Sequence, residues 1–177
     1  GIRPSGIYFS EINAGSRLEF NSKDLMYVFE ASASEVRYKM LLRLSFAGRI
    51  FPRPVQVYEN PDITYQFQEK RFIWAVDLQR EILSFPVRKA NLDLYLGLRT
   101  IFSNASYSGT AITPPRGFSV APVIDMVYRR KNFSVTGGYY FYRTGQSDIP
   151  SNRFRIGLQY HFPLFNKKGA NFRPIIK

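Results

Sequence analysis

Between positions 153 and 162 the chain reads R-F-R-I-G-L-Q-Y-H-F, with Phe154, Ile156, Leu158, Tyr160 and Phe162 alternating with Arg155, Gly157, Gln159 and His161. A period of two over this length specifies a β-strand with one apolar and one polar face. Pro163 then removes a backbone donor and ends the ladder. A single half-buried strand of a soluble sandwich would read the same way. What decides the class is whether the rest of the chain repeats the pattern, and where the polar face can go.

The pattern repeats seven more times. A first strand over 7–20 sets Tyr8, Ile12, Ala14, Leu18 and Phe20 against Glu11, Asn13 and Glu19, and 21–24 carries turn residues. A second, over 25–33, has Leu25, Tyr27, Phe29 and Ala31 opposite Glu30, with a tight turn expected at 32–35. The third sets Val36, Tyr38, Met40, Leu42, Leu44 and Phe46 against Arg37, Lys39 and Arg43. Prolines 52, 54 and 61 mark 48–62 as a long loop. In the fourth strand, 64–83, the apolar parity is odd at Tyr65 and Phe67 but even at Phe72, Trp74, Val76, Leu78 and Ile82. That switch implies either a bulge at 68–71 or a part projecting beyond the buried zone.

A short connection at 84–89 leads to the fifth strand, where Leu92, Leu94, Leu96 and Leu98 oppose Asp93 and Arg99. A long loop at 103–117 precedes the sixth strand, in which Phe118, Val120, Ile124, Met126 and Tyr128 oppose Asp125 and Arg129, with Pro122 its weakest point. A tight turn at 130–132 gives the seventh strand, Phe133 to Phe141, and a loop at 144–152 leads into the eighth.

Loop length and charge fix how these strands are arranged. Connections 2–3, 4–5 and 6–7 are short, whereas 3–4, 5–6 and 7–8 are long and only 1–2 fails to be long on its side, as in an antiparallel barrel with turns at one rim and excursions at the other. The polar faces collect Glu11, Glu30, Asp77, Glu81, Asp93 and Asp125 with Arg37, Lys39, Arg43, Arg99, Arg129 and Arg155. An eight-stranded lumen is too narrow for the large apolar faces. Turned outward into lipid, those faces leave the charges to pair inside, since unpartnered buried charges cost several kcal/mol each. The expected fold is therefore all-β, an eight-stranded antiparallel up-and-down transmembrane barrel, with Tyr38, Phe46, Trp74, Tyr128, Phe133, Tyr160 and Phe162 as aromatic girdles.

Composition agrees and excludes other classes. With 12 Tyr, 16 Phe and 1 Trp the chain favours strands and interfaces. It has no cysteine, so no disulfide or thiolate metal site is available. No apolar run reaches ~20 residues, as a spanning helix requires. The net charge of +12 is spread over polar faces, turns and tail rather than one aromatic-lined face, which argues against nucleic acid as a partner.

The pattern resembles the small eight-stranded bacterial outer-membrane barrels, the class of the OmpA membrane domain and OmpX, over residues 7–162. Phe154, Ile156, Leu158, Tyr160 and Phe162 look like the closing-strand signal of that class, which usually ends at the terminal aromatic; here fifteen residues follow. The resemblance implies insertion in the outer membrane, contact with its lipid and lipopolysaccharide, and a lumen too tight for a large pore. It implies no single activity.

The chain thus divides into a barrel, 1–162, and a basic periplasmic tail, 163–177. In the tail Lys167, Lys168, Phe172 and Arg173 are either a disordered end or a docking strip for an envelope protein. His161, the single histidine, faces the lumen by parity and is expected to be a hydrogen-bonded structural residue. No Gly-x-Ser-x-Gly elbow or HExxH helix is present, and Gly137-Gly138 makes room for a large neighbour rather than a phosphate.

We therefore expect no catalytic residue, metal or cofactor. The expected role is a non-enzymatic barrel serving as a structural or accessory subunit, binding envelope proteins through its loops and tail. The competing readings are a barrel enzyme modifying lipid or lipopolysaccharide, and a soluble lipocalin-like ligand binder. The second of these lacks a Gly-x-Trp near the first strand and would line its pocket with charges.

Overall fold

The computed structural model describes residues 9–22, 24–35, 37–60, 63–110, 116–141 and 152–164. Nine strands run through them: β1 (Phe9–Asn21), β2 (Asp24–Glu35), β3 (Met40–Arg49), β4 (Arg53–Asn60), β5 (Ile63–Val87), β6 (Ala90–Tyr107), β7 (Gly117–Arg130), β8 (Phe133–Phe141) and β9 (Asn152–Pro163). Every pairing is antiparallel, and β9 pairs with both β8 and β1. The ring β1-β2-β3-β5-β6-β7-β8-β9 closes because β3 also pairs with β5, from Met40↔Arg80 to Gly48↔Phe72. Eight strands thus form the barrel, and β4 lies outside the ring on the first part of β5.

Side chains sort by parity around this wall. Outward residues such as Leu44, Leu98, Ile156 and Leu158 are more than half exposed, while inward Arg43, Arg99, Asp77 and Asp125 are almost wholly buried. A soluble barrel would have the reverse. An exposed belt of this size is stable only against hydrocarbon, and a closed ring leaves no edge strand unpaired there. Aromatics bound the belt on both sides. Phe29, Phe46, Trp74, Phe102 and Phe118 stand in register at one level, and Tyr128, Phe133, Tyr160 and Phe162 at the other. From Phe154 to Phe162 the strand climbs about 20 Å, at ~3.3 Å per residue and a tilt near 40°.

Three expectations change. Residues 48–62 are not an open loop, since 53–60 form β4; Pro54 is tolerated there because β4 is a terminal strand of the sheet order. There is no bulge at 68–71: pairing with β6 runs unbroken from Glu69 to Glu81 and shifts only between Glu81 and Leu83. The other of the two readings holds: the parity switch marks where β5 projects beyond the belt. The turn expected at 32–35 lies further on, after Glu35, whose carboxylate accepts the amides of Arg37 (3.0 Å) and Tyr38 (2.5 Å).

Pro122 does sit inside β7, opposite Leu98. Pairing of β7 with β8 begins only at Val123↔Tyr140, so the missing donor breaks no described ladder on that side. The short-turn rim holds Lys39, Arg88 and Lys131 in the left-handed backbone region, at φ 56, 55 and 54°.

Candidate functional site

Two features stand out from a plain barrel, a layered polar lumen and a sheet that rises past one rim. The centre of the lumen is an ion network drawn from all eight strands of the ring. Arg155 donates to Asp125 through Nε (2.6 Å) and to Asp77 (3.0 Å), and Arg43 donates to Asp125 (2.7 Å) and Gln79 (3.2 Å). Arg99 bridges Asp77 (3.2 Å) and Glu19 (2.8 Å), its guanidinium 4.7 Å from the Tyr140 ring, and Tyr140 donates its hydroxyl to Glu19 (2.7 Å). Arg17 pairs with Glu30, which also accepts from Gln159.

Arg17, Arg43, Arg99 and Arg155 thus face Glu19, Glu30, Asp77 and Asp125, four charges against four. Balance of this kind offsets the desolvation of charges held in low dielectric. The centre also needs Gly138, because a Cβ there would run into Asp125 and Arg155. Its room for a large neighbour is the use expected from the sequence.

Above the network, Met26, Val28, Ala47, Ile73, Ala75, Ile101, Ala121 and Val123 form an inward apolar layer. Beyond it, at the long-loop rim, Asp24 accepts from Arg49 (2.9 Å) and Arg153 (2.5 Å), and Glu69 accepts from Arg71 (2.5 Å). Asp24 lies past the belt. Burial pushes its carboxyl up, but the hydrogen bond from Arg49 and the charge of Arg153 outweigh that and hold it below its ordinary value. With Arg17, Arg43, Arg99 and Arg153 all fully buried, the lumen is filled by side chains.

At the short-turn rim, Glu11 pairs with Arg129 and with His161 Nδ1 (2.6 Å), and the Ser134 hydroxyl is hydrogen-bonded to His161 Nε2 (2.8 Å). The carboxylate of Glu11 can only accept, so Nδ1 carries a proton toward it. Glu–His–Ser is the order that activates a nucleophile. Here, however, all three are buried inside the lumen, and Ser134 is 2 % exposed. Its strand amides belong to the ladders with β7 and β9, so none is free as an oxyanion donor.

Of the twelve charges picked from the sequence, Glu30, Arg43, Asp77, Arg99, Asp125 and Arg155 meet in the centre, and Glu11 and Arg129 meet at the short-turn rim. Asp93 accepts from Ser84 (2.6 Å). Lys39 and Glu81 pair at 2.8 Å, but Lys39 sits exposed in the turn. Arg37 is exposed in the same turn, over the Tyr38 ring, because β3 begins only at Met40. Neither cation belongs to the lumen. Phe154, Ile156, Leu158 and Phe162 of the closing strand all face outward, with Tyr160 half-buried. Lys167, Lys168, Phe172 and Arg173 lie outside the described residues.

Sequence reasoning missed Arg17, Glu19, Tyr140 and Arg153 as members of the network. Their signal was available, since each shares the inward parity of its strand with Glu11, Gly138 or Arg155. It also missed Glu69 and Arg71, hidden by the expected bulge. Among the described residues no group of metal-ligating side chains assembles.

The second feature is the rising sheet. β4 and residues 63–69 of β5 form a two-stranded hairpin past the long-loop rim, which β6 meets only at its end, Tyr107 opposite Glu69. Tyr65 stacks on Phe67 (6.0 Å between centroids) and Phe67 on Tyr107 (5.9 Å). Val55 pairs opposite Phe67, so this aromatic row shares its face with Val55 and continues the inward parity of Glu69 and Arg71. The row looks over the mouth of the barrel.

No protein-family model matches the chain, and no curated protein matches it in sequence. Solved structures match it in shape. A major outer-membrane protein of Thermus thermophilus superposes at TM-score 0.54 and 10 % identity, over 86 % of this chain and 99 % of that one. The attachment invasion locus protein Ail of Yersinia pestis gives 0.48 and 14 %, over 88 % and 100 %. The outer-membrane enzyme PagL gives 0.44 and 11 %, over 87 % and 99 %. Likeness at such identities speaks for architecture alone. Belt, girdles, closed ring and the shape shared with the Thermus barrel agree: the chain folds as a small eight-stranded transmembrane barrel of the outer-membrane type.

Proposed function

We propose that this barrel is a non-enzymatic anchor that displays a binding surface on its long-loop side, as a structural or accessory subunit of an envelope assembly. The observation that carries this reading is the β4–β5 hairpin that extends past the rim. The row of Tyr65, Phe67 and Tyr107 faces the mouth, while Gln66, Gln68 and Lys70 are exposed on the other side. Aromatic rows of this kind are common anchors of interfaces. A side-chain-filled lumen favours anchoring over conduction. The basic tail would offer a second docking strip on the periplasmic side.

The test is photocrosslinking in intact cells, from a reactive amino acid placed at Val55, Phe67 or, as control, Leu158. Discrete protein adducts from the first two positions alone support the reading, and adducts from none or from all three sink it. Heat-modifiable migration on a denaturing gel, compared with and without boiling, checks that each variant is a closed barrel.

A second reading, hydrolysis, is favoured by the Glu11–His161–Ser134 chain. Covalent labelling of Ser134 by a fluorophosphonate, abolished by His161→Ala, would establish it and overturn the non-enzymatic role. Unlabelled Ser134 in the folded barrel leaves the trio as a rim-locking hydrogen-bond chain.

A further inference from the structure

The two-residue hairpin turns of the short-turn rim, 88–89 between β5 and β6 and 131–132 between β7 and β8, stand side by side because β6 pairs with β7. Between them lies an open recess of about 350 Å³, lined by Pro86, Arg88, Lys89, Asn91, Arg129 and Lys131. No carboxylate lines it. Arg129 is engaged with Glu11. Among the described residues Arg88, Lys89 and Lys131 have no acidic partner. Lys39, on the third turn of the same rim, contrasts with them because Glu81 neutralises it.

The backbone adds an independent observation. Arg88 and Lys131 both adopt left-handed φ, 55 and 54°, where glycine or asparagine would be less strained. A long cationic side chain therefore occupies the strained position of each turn, and the two converge on one recess. Lys39 shares that backbone, at φ 56°, so what sets the Arg88 and Lys131 turns apart is unneutralised charge converging on one recess. Height identifies the ligand. Tyr128 and Phe133, at the edge of the belt, are the immediate neighbours of the β7–β8 turn, so the recess lies at the level of lipid headgroups.

We propose that this recess binds the phosphate of an anionic phospholipid in the periplasmic leaflet, with Arg88, Lys89 and Lys131 as its cationic ligands. A diester phosphate at the membrane surface supplies the negative charge that the recess lacks, while its acyl chains run along the apolar belt above.

The test uses the full-length folded barrel in dodecyl maltoside, with native mass spectrometry reading retention of dioleoyl phosphatidylglycerol against dioleoyl phosphatidylcholine. Arg88→Asn combined with Lys131→Asn removes two charges while suiting the left-handed backbone, so folding is not compromised; heat-modifiable migration checks this. Lys39→Gln removes a paired charge from the same rim as a control. The expected result is selective retention of phosphatidylglycerol by the parent and by Lys39→Gln, and roughly tenfold weaker retention by the double variant. Equal retention of the two lipids by the parent, or of phosphatidylglycerol by parent and double variant, overturns the proposal. So does equal loss in Lys39→Gln, which would make the effect one of general rim charge. Displacement of the lipid by millimolar inorganic phosphate would reassign the recess to free phosphate and also overturn it.

Discussion

Strand β5 obeys opposite rules along its length. Between Phe72 and Ile82 its apolar outward residues are even, with Phe72, Trp74, Leu78 and Ile82 exposed, while Asp77 and Gln79 face inward and are buried; between Tyr65 and Phe67 the apolar residues are the odd ones, on the inward side. The backbone does not slip between these parts, as its pairing with β6 is continuous from Glu69 to Glu81. What changes is the solvent. Lipid accepts apolar side chains on the outside of the wall, whereas water above the rim makes the same outward face polar, with Gln66, Gln68 and Lys70. The alternation therefore records the surrounding medium residue by residue. The membrane boundary falls close to Arg71.

That contrast can be broken experimentally. The largest effect is expected from Asp125→Asn, which leaves Arg43 and Arg155 without their shared carboxylate at the centre of the lumen. The barrel should lose about 3–5 kcal/mol, as for a broken buried pair, in urea unfolding from lipid vesicles. A loss under about 1 kcal/mol would show that the network is not what holds the wall together. Next comes an arginine placed in each half. Leu158→Arg, in the belt, should cost about 2–4 kcal/mol. Phe67→Arg, above the rim, should stay within about 1 kcal/mol in the same assay, as surface changes do. Equal costs would mean that the extension sits in lipid too, and the boundary at Arg71 would be wrong.

The smallest effect sharpens the comparison at the opposite rim. Lys131→Asn relieves a left-handed lysine at φ 54° and should raise stability by up to about 1 kcal/mol. Loss of stability there would mean that Lys131 is held by contacts stronger than its backbone strain.

Much of this was legible in the sequence because β-side chains alternate strictly. Eight apolar faces, their lipid-facing sense and the alternation of short and long connections all follow from period two and turn chemistry. The same parity assigned Asp77, Arg99, Asp125 and Arg155 to the lumen before any contact was known. It was ambiguous where the alternation meets a change of medium and erred at a tightly tied turn. Tyr65 and Phe67 left a bulge and a projecting part equally open, and Arg37 and Lys39 read as strand residues although Glu35 ties their segment into a turn. β4 stayed hidden because Pro52, Pro54 and Pro61 make the stretch look like a loop, whereas a terminal strand tolerates Pro54.

Which residues meet across the lumen is a different kind of fact. Arg155 reaches Asp77 and Arg99 reaches Glu19 across sequence separations of 78 and 80 residues. No local pattern encodes such pairs. They depend on strand register, on the closure of β3 onto β5 and on the stagger that closure imposes. The same holds for Arg88 and Lys131, ordinary turn residues that become one recess only because β6 and β7 set their hairpins side by side. The amino-acid sequence by itself determined which face of each strand is apolar, and thereby the membrane class of the fold, because alternation is a property of neighbours in the chain. Register, lumen partners and the height at which β5 leaves the membrane were decided by the tertiary structure, because ring closure fixes distances between residues that are far apart in sequence.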